Sequence, residues 1–167
     1  DPIQIDSVIS QGDIANRITI PLANGERMHS IWEFREMFEA GGSQYARPDL
    51  GLAGGVTAVK KIAAIAESYH SALVTHNFLG PVLTAAACNM DAAIPNFLTQ
   101  EYSKEDEQPF NAGFNSSWKR EGGYIPVPDT PGIGIDLEVE SFRAQPYNPR
   151  NLQVIPIRED GSIGYSV

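Results

Sequence analysis

Four side chains able to move protons or bind a hard cation recur along this chain at nearly one interval. They are Glu26, Asp49, His76 and Glu101, separated by 23, 27 and 25 residues. Each closes a short apolar or β-branched run. A carboxylate is a hard oxygen ligand of the kind Mg²⁺ selects. A carboxylate beside an imidazole fixes the tautomer of the ring and raises its basicity. The expected chemistry is abstraction of a proton next to a substrate carboxylate. Glu26 would serve as a metal ligand, Asp49 and His76 as an acid–base dyad, and Glu101 as a hydrogen-bonding partner of the enolate oxygen. Taken singly, each residue has a plainer reading. A Glu after Gly is usually solvated, an Asp after Pro often caps a turn, and a lone His is more often structural. The common interval is what joins them.

About 25 residues is the length of one strand-plus-helix unit, and consecutive strand ends of a (β/α) barrel share one rim. The segment 18–23 (Ile-Thr-Ile-Pro-Leu-Ala) reads as a first strand, with Asn24-Gly25-Glu26 turning out of it. Ser30 with Glu33 is a capping box, and Ile31, Phe34, Met37 and Phe38 share a helical face ended by Gly41-Gly42. A strand over Tyr45–Pro48 leads to Asp49. After Gly54-Gly55 a second helix is expected to bury Val56, Val59, Ile62, Ala63, Ala66 and Tyr69. Ala72–Thr75 is a third strand tipped by His76. Gly80-Pro81 opens a third helix, and a fourth strand near Phe97–Thr99 precedes Glu101. Alternating β and α of this kind predicts a parallel sheet. Right-handed crossovers place all four tips on one edge.

The remaining residues of those types are placed less centrally. Arg27 and His29 are candidate substrate-binding groups near Glu26, whereas His70, Lys60 and Lys61 read as surface residues. From Lys104 the character changes to charged and Gly/Pro-rich loops. Residues 104–167 are expected to form an extension packing on the barrel or on a capping domain, with Trp118 and Tyr124 as packing residues.

At 167 residues the chain can bury a core, yet a complete barrel needs roughly 250 residues. The net charge of −9 argues against a nucleic-acid surface. An anionic substrate would need local positive charge, such as a metal, against that field. One cysteine, Cys88, excludes an intramolecular disulfide and a thiolate zinc site, and reads as a small buried hydrophobe. No apolar run reaches membrane-spanning length, and the start is no signal peptide, so a cytoplasmic setting is expected. The opening Asp1-Pro2, without an initiator Met, reads as a piece of something longer.

The runs IPLANGERMHS, FEAGGSQYARPDLGLAGGVTAVKKIA, VTHNFLGPVLTAAACNMDAAIPNFLTQE and GGYIPVPDTPGIGIDL resemble the mandelate racemase subgroup of the enolase superfamily, and within it the galactonate dehydratase-like sugar-acid dehydratases. The likeness covers most of residues 1–103 and part of the tail. It implies the C-terminal half of a (β/α)₇β TIM-like barrel, with residues 1–103 as about strands five to eight. The capping domain and first barrel half would lie outside the chain. Glu26 would be the third Mg²⁺ ligand, on the fifth strand. Asp49 and His76 would be the dyad of the sixth and seventh strands, and Glu101 the electrophilic group of the eighth. The fourth-strand ligand of such families sits just before an Asp-Pro or Glu-Pro pair, so here it falls one residue short of Asp1-Pro2.

The implied reaction is Mg²⁺-dependent dehydration of an aldonate to a 2-keto-3-deoxy acid through an enediolate, as in sugar-acid catabolism. The chain alone would be inactive, requiring the missing N-terminal half, and a homo-oligomer is expected. Racemisation or epimerisation of a 2-hydroxy acid through the same enolate, and a non-catalytic barrel fragment, stand as alternatives.

Overall fold

The structure is a computed structural model that describes residues 1, 7–107, 111–145 and 157–162. Its centre is a four-stranded parallel sheet in the order β1 (Ala23–Asn24), β2 (Tyr45–Ala46), β3 (Ala72–Thr75), β4 (Phe97–Gln100). Strand order follows chain order, and each crossover between neighbours carries a helix. These are α2 (Ile31–Glu39), α3 (Gly55–Ser68) and α4 (Pro81–Asp91). Sequential parallel strands joined by helices are half of a barrel, and β1 and β4 are the two outer strands among the described residues.

Local chemistry sets the helix boundaries. Ser30 Oγ accepts from the Glu33 amide (3.4 Å), and Glu33 Oε2 reaches back to the His29 amide (2.9 Å), a capping box displaced by one residue. Gly41, at φ 65°, lets the chain reverse so that the Gly41 and Gly42 amides satisfy the Phe38 and Met37 carbonyls. Phe34, Met37 and Phe38 face inward from α2 against Val59, Ile62, Ala63 and Ala66 of α3. Fully burying each larger apolar side chain contributes about 1.5–3 kcal/mol.

Four expectations need correction. The strand predicted over 18–23 shrinks to Ala23–Asn24, because Pro21 supplies no amide to a ladder and Ile18 and Ile20 face solvent. Val56 and Tyr69 do not belong to the buried face of α3. Val56, in the first turn of the helix, is half exposed, and Tyr69 caps the end, stacking on Phe38 at 5.3 Å from an exposed position. Tyr124 is 80 % exposed in a tight turn closed by Glu121, whereas Trp118 is buried as expected. A helix that periodicity did not reveal, α1 (Val8–Ala15), precedes the sheet. Its Gln11 accepts a hydrogen bond from Asn24 Nδ2 at 2.6 Å.

Beyond β4, a single 3₁₀ turn covers Glu105–Glu107. A two-stranded antiparallel pair follows, β5 (Phe114–Ser116) with β6 (Ile135–Leu137), and then α5 (Val139–Arg143). Much of the expected extension, including residues 146–156, lies outside the described residues. Among those described, no helix is long and apolar enough to cross a membrane.

Candidate active site

The intervals that drew attention in the sequence are the register of the sheet. Tyr45 pairs with Ala72 and Ala46 with Leu73, an offset of 27. Val74 pairs with Thr99 and Thr75 with Gln100, an offset of 25. Those are the gaps from Asp49 to His76 and from His76 to Glu101, so each pair stands side by side. Asp49 and His76 continue the ladder as a parallel bridge. The β3–β4 offset becomes 25 only after a register shift between Leu73 and Val74, where β4 carries one extra residue. At β1 the offset is 22 while the gap to Asp49 is 23. Glu26 therefore stands one position off, carried there by Gly25 at φ 128°. Any side chain at Gly25 would also collide with the Phe34 ring.

Asp49 is fully buried and both its oxygens are engaged. Oδ1 accepts from the Leu52 amide at 2.9 Å, and Oδ2 lies 2.7 Å from His76 Nδ1. A carboxylate only accepts, so Nδ1 carries the proton and Nε2 is left as the basic lone pair. Nε2 lies 3.6 Å from Glu26 Oε2 and 3.6 Å from Glu101 Oε2. All four expected residues thus converge on one rim.

Arg47 joins them, a residue sequence reasoning passed over. Its Nη1 bonds Glu26 Oε2, its Nη2 donates to Glu101 Oε2 at 2.8 Å, and Asp1 Oδ2 is 3.5 Å from Nη1. The period of two along a strand could have found it, since residues 47 and 49 share a side. Arg27 is exposed beside Glu26, its Nε 3.8 Å from Glu26 Oε1. The exposed His29 is tied through its amide to Glu33.

The Glu26 carboxylate suits a hard divalent cation, and Asp1 approaches the same Arg47 nitrogen. Among the described residues, however, no group of three or more His, Cys, Asp or Glu side chains is arranged to hold a metal ion. The donor chemistry fits magnesium while the donor number falls short, so further ligands would have to come from elsewhere.

Beneath the rim, Thr75 Oγ1 donates to Asp91 Oδ1 at 2.6 Å, and Asp91 Oδ2 is buried without a partner among the described residues. Burial pushes the Asp91 carboxyl up to about 7, against the opposing Thr75 hydrogen bond. Cys88, nearby, is pushed up to about 11 by burial and by the Asp91 and Glu105 charges, so it is an inert thiol. Both line a cavity of about 520 Å³ beside β4. Because the folded-state pKa of Asp91 is raised, the folded protein holds a proton there that the unfolded chain gives up near pH 4. Stability is therefore lost as pH rises from about 4 to 7, by at most roughly 4 kcal/mol. Asp91→Asn is expected to unfold at higher temperature than the parent at pH 8, with the gap closing below pH 4. Thermal unfolding at several pH values checks this.

Parallel strands alternating with helices, and ionisable groups gathered at the strand ends, define the class: a piece of an α/β barrel with its reactive rim. The chain belongs to the family described as Enolase C-terminal domain-like, which matches residues 1–141. It is 37 % identical over 144 residues to the D-galactonate dehydratase of Ralstonia pickettii, covering 83 % of this chain and 38 % of that protein. It is 35 % identical to the D-galactonate dehydratase of Cronobacter sakazakii, covering 87 % and 40 %. Among solved structures, a mandelate racemase/muconate lactonizing enzyme from a Jannaschia species superposes with a TM-score of 0.83 at 33 % identity, over 92 % of this chain and 39 % of that one. An enolase from Agrobacterium radiobacter, with sodium and L-malate bound, superposes with a TM-score of 0.87 at 26 % identity, over 99 % and 45 %. The chain thus spans about two fifths of the length of the curated relatives it matches.

Proposed function

We propose that the chain is the catalytic C-terminal barrel half of a sugar-acid dehydratase, a hydro-lyase that converts an aldonate to a 2-keto-3-deoxy acid. D-galactonate, named in the relatives, is the first candidate substrate. The observation that carries this reading is the His76 ring: Asp49 holds Nδ1 at 2.7 Å, and Nε2 opens between Glu26 and Glu101.

Nε2 takes the proton α to the substrate carboxylate, or returns one to the enol. Asp49, buried and bonded through both oxygens, stabilises the imidazolium that forms and keeps the ring from turning. Glu101, at the end of β4, would stabilise the oxygen on which charge develops by donating to it from its protonated carboxyl group. Arg47 bridges Glu26 and Glu101 and orients both. Glu26 is the residue that would bind magnesium. When bound, that ion neutralises the substrate carboxylate and offsets the molecule's acidic field. Arg27, exposed at the rim beside Glu26, would meet a substrate hydroxyl or carboxylate, with His29 next to it.

The four-stranded half-barrel and the two fifths of its relatives' length that the chain spans support a full-length protein in which a first barrel half completes the sheet and brings the other metal ligands and the acid that expels the hydroxyl. Residues 1–103 would then be about strands five to eight, residues 104–167 an extension of the barrel or of the capping domain, and the assembly a cytoplasmic homo-oligomer.

The test is a screen of the full-length protein against a panel of aldonic acids with and without Mg²⁺, detecting the 2-keto-3-deoxy product. Product that requires Mg²⁺ is the expected result. Solvent deuterium entering the α-position with no loss of water would move the assignment to racemisation or epimerisation. A folded full-length protein with no metal-dependent turnover on any acid would reduce the chain to a non-catalytic scaffold.

A further inference from the structure

Behind the rim runs a line of buried polar groups that the acid–base reading does not use. Asn77, the residue after His76, and Thr84 of α4 are fully buried, and Glu105 of the 3₁₀ turn is nearly so. Asn77 Nδ2 donates to Thr84 Oγ1 at 2.5 Å, and Thr84 Oγ1 donates to Glu105 Oε2 at 2.6 Å. The directions are forced. The amide has only hydrogens to offer at Nδ2, the carboxylate only accepts, and the single hydroxyl proton must go to Glu105. The Gly80 carbonyl, 3.5 Å from the same hydroxyl, competes weakly. At its outer end the line meets the site, because the Asn77 backbone amide donates to Glu101 Oε2 at 3.3 Å.

Burying a carboxylate, a hydroxyl and an amide together is costly, and apolar side chains of like volume would pack this space at least as stably. What a polar chain adds is direction. Each of the two side-chain bonds has one direction, so although Asn77 Oδ1 is buried without a partner among the described residues, the Asn77 side chain, its peptide and the N–H aimed at Glu101 are held in one pose. His76 shares that peptide.

We propose that Glu105, Thr84 and Asn77 form a positioning relay. Reaching in from the segment beyond β4, it sets the Asn77 N–H, which together with Arg47 Nη2 holds the Glu101 carboxylate beside His76. None of the three touches substrate. They are positioning residues, and the proposal rests on the reading of Glu101 and His76 as the reacting pair.

Thr84→Val keeps the shape and removes the hydroxyl, and Thr84→Ser restores it. In the full-length protein Thr84→Val is expected to lower kcat about tenfold or more with KM changed less than twofold, since small misplacements of catalytic groups carry costs of that size. Thr84→Ser is expected to return kcat to within about twofold of the parent. Crystal structures of the parent and both variants give a readout independent of turnover. In Thr84→Val the Glu101 carboxylate leaves hydrogen-bond range of the Asn77 amide, and in Thr84→Ser it stays. If Thr84→Val does not fold, Glu105→Gln takes its place. It keeps volume and an acceptor oxygen but loses the charge-assisted bond, and a smaller kcat loss at unchanged KM is expected. A variant with unchanged kcat, or an unmoved Glu101 with only a lower Tm, overturns the relay. A parent that turns over no acid would defeat the dehydratase reading instead, leaving the crystallographic comparison to decide the relay.

Discussion

Replacing His76 with asparagine in the full-length protein is expected to lower turnover by roughly 10²- to 10⁴-fold while leaving the fold intact. That is the range a positioned acid–base group contributes. The substitution is a clean one here. An asparagine amide can still donate toward Asp49 Oδ2, so the buried carboxylate is not stranded, and the lost element is the Nε2 lone pair between Glu26 and Glu101. Removing Asp49 would instead unsettle a fully buried group that also caps the turn at Leu52, confounding chemistry with folding. Turnover is read alongside circular dichroism and Tm. A His76→Asn protein that keeps its turnover removes His76 from the reaction.

The second large effect concerns the metal. Glu26→Gln in the full-length protein is expected to weaken Mg²⁺ binding at least about 100-fold by calorimetry. Changes one step further from a metal already cost 10–100-fold, and a carboxamide withdraws both the charge and the hard oxygen pair that Mg²⁺ selects. Arg47 makes the experiment informative. It bonds Glu26, Glu101 and Asp1, so Glu26→Gln leaves the guanidinium two carboxylate partners and the rim is not left with an unpaired cation. Unchanged affinity would take Glu26 out of the ligand set and leave it as the anchor of Arg47.

Much of this site could be read from spacing because the spacing is the sheet register seen along the chain. Asp49 and His76 lie 27 apart because β2 and β3 pair with that offset, and His76 and Glu101 lie 25 apart for the same reason. Helix signals were equally local. The Ser30–Glu33 box, the Gly41-Gly42 stop and Pro81 at a helix start each depend on groups within five residues, which sequence displays directly. Hydrophobic periodicity was less reliable at helix ends. Val56 and Tyr69 fit the stripe of α3, yet Val56 stays half exposed and Tyr69 meets the partner surface only through the Phe38 ring. The exposed Tyr124 shows that an aromatic among glycines need not find a core.

By itself the sequence determined the βα alternation, the order of four strands and the chemistry offered at their ends. Those follow from backbone geometry and side-chain type over short separations. Tertiary structure alone decided the extra residue in β4 that brings Glu101 level with His76, the clasp of Arg47 across Glu26 and Glu101, and the buried line from Glu105 through Thr84 to Asn77. Each of these joins groups 7 to 54 residues apart. A period of two can put Arg47 on the side of Asp49, but which groups meet depends on how strands slide and helices pack, and that is not encoded locally along the chain.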